Sequence, residues 1–159
     1  MMQMEQTGRQ IELFINGKTK RIFVRYADTL LYVLRERLGL MGAKLACGNG
    51  DCGACTILMN GLPINACHML AIEAVNHDIL TIEGLLDPTV SNTFVDKWAL
   101  QCGYCTPGFI LNCHALLENK PDATDADIDE WLDSNICRCT GYAEIKEVVR
   151  SLLKERAQV

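Results

Sequence analysis

The sequence predicts an α+β protein, with strands in its first half and helices in its second. Three observations carry this expectation. Apolar residues alternate around two Asn-Gly pairs early in the chain, apolar residues recur at helical spacing later on, and eight of the nine cysteines fall into two unlike groups of four.

The strands come first. Ile11, Leu13 and Ile15 alternate up to Asn16-Gly17, a two-residue hairpin signal, and Ile22 and Val24 continue the alternation on the return. Asp28 precedes Leu30, Leu31, Val33, Leu34 and Leu38, a helical spacing that stops at Gly39. Residues 41–55 are rich in Gly and Cys and read as an irregular loop. Thr56 to Met59 reads as a strand, Asn60-Gly61 as a second hairpin turn, and Pro63 places the next strand at a sheet edge. Ile79, Thr81 and Ile82 form the last predicted strand.

The helices follow. Phe94, Trp98 and Leu100 are expected on one helix. Thr106 reads as an N-cap with Pro107 at the first helical position, opening a helix through Phe109, Ile110, Leu111, Leu116 and Leu117. Thr124 and Asp127 resemble a capping box before Ile128, Trp131 and Leu132. Ile145, Val148, Val149, Leu152 and Leu153 form the stripe of a final helix. Four helices suggest a small bundle. The break falls near Asp87-Pro88, giving domains 1–86 and 87–159.

Composition excludes several function classes. The net charge is −5 and no basic run is present, which argues against nucleic acid or anionic lipid as a partner. The polar N-terminus MMQMEQTGRQ does not read as a secretory signal, and no run approaches the roughly 18 apolar residues of a membrane span. A cytoplasmic location is expected, where thiols stay reduced and metal ligation is favoured over disulfides.

The first cysteine group is Cys47-x4-Cys52-x2-Cys55, with Cys67 following. Three ligands in one loop, with Gly48, Gly50 and Gly53 between them, match the spacing of plant-type [2Fe–2S] ferredoxins. The glycines let the loop curl and bring backbone N–H groups close to sulfur. Structural zinc is the alternative, though its ligands usually pair as two short knuckles. The second group is Cys102-x2-Cys105 and, farther on, Cys137-x-Cys139. Each pair falls between helices, where free N–H groups suit an anionic thiolate site. Zinc is an alternative here too. A thioredoxin-like pair lacks its βαβ context.

GAKLACGNGDCGACT, QCGYCTPGFIL and NICRCTGY resemble, in this order, the small iron–sulfur subunit of the molybdenum hydroxylases. That family includes xanthine dehydrogenase, aldehyde oxidoreductase and carbon monoxide dehydrogenase. The resemblance covers nearly the whole chain. It implies a ferredoxin-like β-grasp domain and a four-helix bundle, each holding one [2Fe–2S] cluster. It also implies a large subunit with molybdopterin, often as the cytosine dinucleotide, a medium FAD subunit, and a dimer of heterotrimers. By the same resemblance the cluster on Cys102, Cys105, Cys137 and Cys139 lies nearer molybdenum. The cluster on Cys47, Cys52, Cys55 and Cys67 lies nearer FAD, and Gln101 and Cys139 lie against the pterin. The chain departs from the family pattern at Ala46, His68 and Ser134. A free-standing two-cluster electron carrier is the competing reading.

Other residues are expected to be structural. Cys113 reads as a buried thiol, and His68, His77 and His114 as isolated imidazoles. Trp98 and Trp131 read as core or interface residues. Tyr104 and Phe109 fit either core packing or a partner surface. The charge runs Asp122–Glu130 and Lys146–Arg156 read as solvated helix faces, and Lys44 and Arg138 as surface cations that could also offset cluster charge.

Overall fold

The computed structural model describes residues 7–157. Strands β1 (Gly8–Ile15) and β2 (Lys18–Arg25) form an antiparallel hairpin. Its turn residues Asn16 and Gly17 have φ of 51° and 74°, as a two-residue turn matched to strand twist requires. Strands β3 (Thr56–Met59) and β4 (Leu62–Asn65) form a second hairpin, and β5 (Asp78–Leu80) joins the two. The sheet order is β2-β1-β5-β3-β4, with β5 parallel to β1 and antiparallel to β3. Pro63 therefore lies on an edge strand, as its missing N–H demands.

The helical stripe after Asp28 takes a different form from the one expected. Helix α1 is a single turn, Leu30–Tyr32, capped by Thr29, and it widens into a π-helical turn over Val33–Arg37. The Leu38 N–H reaches the Val33 carbonyl at 3.1 Å, five residues back, and Arg35 ties the chain that follows. Its guanidinium donates to the carbonyls of Met41 and Ala43 at 3.0 and 2.7 Å, drawing the following chain back toward the helix. Leu30, Leu31, Val33 and Leu34 pack with Ile11, Leu13, Val24, Ile57 and Ile79 in the first core. Asp28 is itself buried. Burial pushes its carboxyl upward, but hydrogen bonds from the Arg25 side chain and N–H outweigh this and hold it below the usual carboxylate range.

The second half carries α2 (Thr89–Asp96), α3 (Thr106–Asn119), α4 (Asp125–Leu132) and α5 (Ala143–Arg156). Phe94, Phe109, Leu116, Ile128, Ile145 and Val149 form a second core among them. α3 is buried on nearly every side because it lies between that core and the sheet. Leu111 and Ala115 meet Leu58 of β3 across the seam. A helix so enclosed is apolar all round. Asn112 is its one fully buried carboxamide.

Three local expectations shift. Trp98 and Leu100 lie beyond α2, because Trp98 takes φ +55° and the helix closes in a Schellman motif. The Trp98 N–H bonds the Val95 carbonyl and the Ala99 N–H bonds the Phe94 carbonyl. The Trp98 side chain is 83% exposed and is not a core residue. Thr106 is the first residue of α3, so Cys105 occupies the N-cap. Ile82 belongs to a 3₁₀ turn, Ile82–Gly84, and not to β5. The Thr124–Asp127 capping box forms as read. The two charge runs interlock, with Lys146 bonded to Asp129 and Arg150 to Asp125, so they join α4 to α5.

Candidate metal centres

The loop carrying Cys47, Cys52 and Cys55 is shaped from both ends. Lys44 N donates to the Ala54 carbonyl at 2.9 Å, closing the loop on itself. Asn65, at the end of β4, donates to the Gly50 carbonyl at 2.6 Å and accepts from the Cys55 thiol at 3.9 Å. The chain then enters a 3₁₀ turn, Ala66–His68, which carries Cys67. The β3–β4 hairpin is thus what returns the fourth thiol to the loop. The Asn49 N–H, the Cys52 thiol and the N–H groups of Cys52 and Asp51 hold the Cys47 thiol down to about 6. Burial, with Cys67 and Cys52 nearby, pushes Cys55 up to about 12.

The second set is assembled from two segments. Cys102 and Cys105 precede α3, and Cys137 and Cys139 lie between α4 and α5. Cys102 Sγ and Cys139 Sγ lie 3.7 Å apart. Burial pushes the Cys105 thiol up to about 12, with Cys137 and Cys102 adding to the effect. Burial also opposes ionisation of Cys137, yet the Thr140 hydroxyl at 3.2 Å and the N–H groups of Thr140 and Cys139 bring its thiol below the ordinary value. Contact with Cys102 raises Cys139. Tyr142 stands beneath this site with φ +72°, a conformation costing roughly 1–2 kcal/mol. Its hydroxyl accepts from the Cys137 N–H at 3.1 Å, and its ring packs edge-on against Phe109 with centroids 6.4 Å apart.

Both sets therefore have the same plan. An outer pair, Cys47/Cys52 or Cys102/Cys139, is open or half-open to solvent, while an inner pair, Cys55/Cys67 or Cys105/Cys137, is buried or half-buried. Among the described residues, no three His, Cys, Asp or Glu side chains gather to hold a single metal ion. Thiols joined two by two fit a binuclear cluster, where each iron takes two protein ligands, better than one tetrahedral zinc. A tetrahedral ion spaces its sulfurs about 3.8 Å apart, close to the outer pair of the second set. The residues present thus fit two [2Fe–2S] groups. Bound iron would supply the positive charge that keeps the buried thiols ionised.

The two sets are also stitched together. Ile136 N donates to the Cys52 carbonyl at 3.0 Å, and Asn135 Nδ2 to the Gly53 carbonyl at 2.9 Å. The Tyr104 hydroxyl donates to the Leu45 carbonyl at 2.6 Å. Gln101 Nε2 donates to the Cys139 carbonyl at 3.2 Å at the exposed edge of the second set. Lys44 sits over the Tyr104 ring at 5.9 Å, and Arg138 is exposed. Cys113 is a fully buried thiol raised to about 12 by desolvation, as a core cysteine should be. His77 bonds Asn60, His68 lies near Gly50, and His114 faces the β3–α3 groove, so the imidazoles stay apart. Asn65, Asn112, Asn135 and Thr140 were not singled out from the sequence, and only the position of Asn135 and Thr140 beside Cys137-x-Cys139 marked them.

The chain is similar to known proteins along nearly its whole length. A family model described as a 2Fe-2S iron-sulfur cluster binding domain matches residues 13–72, and one described as a [2Fe-2S] binding domain matches residues 81–150. The nicotinate dehydrogenase small FeS subunit of Eubacterium barkeri is 43% identical over 144 residues, covering 88% of this chain and 92% of that protein. The chain belongs to the small iron–sulfur subunits of the molybdenum hydroxylases. The nicotine 6-hydroxylase small subunit of Paenarthrobacter nicotinovorans is 41% identical over 143 residues, covering 88% of this chain and 87% of that one. The crystal structure of quinoline 2-oxidoreductase from Pseudomonas putida 86 superposes with a TM-score of 0.88 at 35% identity, covering 96% of this chain and 97% of that chain. As a small iron–sulfur subunit, the protein is the electron-transfer component of an oxidoreductase and carries two [2Fe–2S] clusters. No helix among the described residues is long and apolar enough to cross a membrane.

Proposed function

We propose that this chain carries single electrons between a molybdopterin-bearing large subunit and a medium FAD subunit. Its ligand sets are Cys47, Cys52, Cys55 and Cys67 in a β-grasp domain of residues 1–86, and Cys102, Cys105, Cys137 and Cys139 in a four-helix domain of residues 87–159. The observation that carries the reading is the Ile136 N–H bonded to the Cys52 carbonyl, which directly joins a ligand of one set to the neighbour of a ligand of the other. When bound, [2Fe–2S] groups take up and release one electron at a time, which suits them to lie between two-electron centres.

The chain's own residues do the rest. The N–H groups of Asn49, Asp51 and Cys52 around Cys47, and of Thr140 and Cys139 around Cys137, stabilise negative charge on sulfur and so tune potential. The exposed edge with Cys102, Cys139 and Gln101 is suited to face the pterin, with Gln101 and Cys139 against it. The first set then faces FAD. The complex is a dimer of heterotrimers, as the family resemblance implies, in the cytoplasm, where thiols stay reduced and available to metal. Reduction of the purified complex by dithionite should give two distinct rhombic EPR signals, with partner chains co-purifying. An EPR-silent protein containing zinc would overturn the reading.

A further inference from the structure

We propose that Asn135 is a positioning residue for electron transfer between the two ligand sets, and that Asn112 orients it. The proposal rests on the assignment of those sets made above.

Asn135 is 2% exposed and precedes Cys137 by two residues. Its Nδ2 donates to the Gly53 carbonyl at 2.9 Å and lies 3.3 Å from Thr56 Oγ1. Its Oδ1 accepts from Asn112 Nδ2 at 2.8 Å and from Ser134 Oγ at 2.9 Å. One residue on, the Ile136 N–H holds the Cys52 carbonyl at 3.0 Å. Two successive carbonyls of the first loop are therefore gripped by two successive residues of the second. A single bond would leave the segments free to pivot. Two bonds fix orientation as well as separation.

The ligand motifs leave room for this grip. A Cβ on Gly53 would stand 2.2 Å from Asn135 Nδ2, and a Cβ on Gly108 would stand 2.4 Å from the Gly53 carbonyl oxygen. Gly53 also has φ +66°, so its lack of a side chain serves both space and conformation. Gly108 serves space alone. Ser134, at a family Gly position, adds its hydroxyl to the same network, 2.7 Å from Asn112 Nδ2.

A polar knot built only for stability would look different. Asn112 Nδ2 faces three acceptors, Trp131 O, Ser134 Oγ and Asn135 Oδ1, while its own Oδ1 is buried with no partner among the described residues. An orphaned buried acceptor lowers stability relative to an apolar side chain of the same volume. What the network achieves instead is a fixed junction. In the step it serves, one electron leaves reduced iron held by one set and reduces oxidised iron held by the other, with no proton moved and no bond broken. Tunnelling falls off steeply with separation, and faster across a gap than along bonds, so the path through the Cys52 carbonyl and the Ile136 N–H depends on contact being kept.

The test uses the assembled holo-complex carrying Asn135→Leu, or Asn135→Asp, which keeps the size but loses the donor. Iron content, the mutual splitting of the two EPR signals in the fully reduced protein, and the rate of electron equilibration between clusters would be measured. Both variants should keep both signals, show weaker splitting, and equilibrate more slowly than the wild type, because tunnelling weakens steeply as contact loosens. Val24→Ala, a variant in the first core on β2, should lower stability and leave splitting and rate as in the wild type. Unchanged splitting and rate in a fully loaded Asn135 variant would overturn the proposal. Failure of both variants to load iron would also overturn it, assigning Asn135 to assembly. Absence of two signals in the wild type would instead remove the ligand assignment.

Discussion

The two thiol sets solve the same problem by opposite routes. The first is mostly local. Cys47, Cys52 and Cys55 lie within nine residues, and the N–H groups turned toward Cys47 come from the same loop. Only Cys67 needs a longer excursion, over the β3–β4 hairpin. The second is almost wholly tertiary. Its two pairs are 31 residues apart in sequence and meet only because α3, α4 and α5 pack as they do. A local site tolerates loosening of its domain, whereas a site spread over several helices fails when their packing fails.

Exchanging ligands breaks the comparison most severely. Cys105→Ser should remove one cluster and about half the iron, while Cys55→Ser should remove the other. EPR of the reduced protein should then show one remaining signal, a different one in each variant. Retention of both signals in either variant would contradict that ligand assignment.

Loosening the helical core sharpens it. Phe109 is fully buried and holds Tyr142 beneath Cys137. Phe109→Ala should cost about 3–5 kcal/mol and lose the second cluster preferentially. Thermal release of iron followed by EPR should show the first signal outlasting the second. Simultaneous loss would mean that the two halves melt as one unit.

A smaller effect belongs to the first half. Because Arg25 holds the buried Asp28 carboxyl below its unfolded value, the unfolded chain binds the extra proton in acid. The stability from this pair is present above the ordinary aspartate pKa of about 3.9 and is lost as pH falls toward the lower folded value. The Asp28 carbonyl accepts from Ala71 N and Leu30 N donates to the Met69 carbonyl, so this segment backs the chain just after Cys67. Asp28→Asn should lower the melting temperature at pH 6 and flatten its decline in acid. An unchanged acid slope would place the pH dependence elsewhere.

Much of this architecture was legible in the sequence, for reasons that differ from element to element. The Asn16-Gly17 and Asn60-Gly61 turns were readable because few dipeptides accept positive φ at adjacent positions. The edge position of Pro63 followed from a missing donor, and the Thr124–Asp127 box from two side chains three residues apart. The eight clustered thiols stood out by spacing alone. The end of α2 did not, since no sequence signal marks Trp98 for a left-handed turn, and neither did the widening of the first helix over Val33–Arg37, which shows only in its backbone bonds.

By itself, the sequence determined the α+β class, the family and the two groups of thiols that are candidates to hold iron. These depend on periodicity and on short motifs, which are local properties of a chain. Tertiary structure decided how the sulfurs pair, which pair faces solvent, and how the two loops are joined. Asn135 and Gly53 are 82 residues apart in sequence yet 2.9 Å apart between Nδ2 and carbonyl oxygen. No periodicity encodes such a contact. It exists because α3 is enclosed between the sheet and the other helices, which brings a buried carboxamide to the place where the two loops meet.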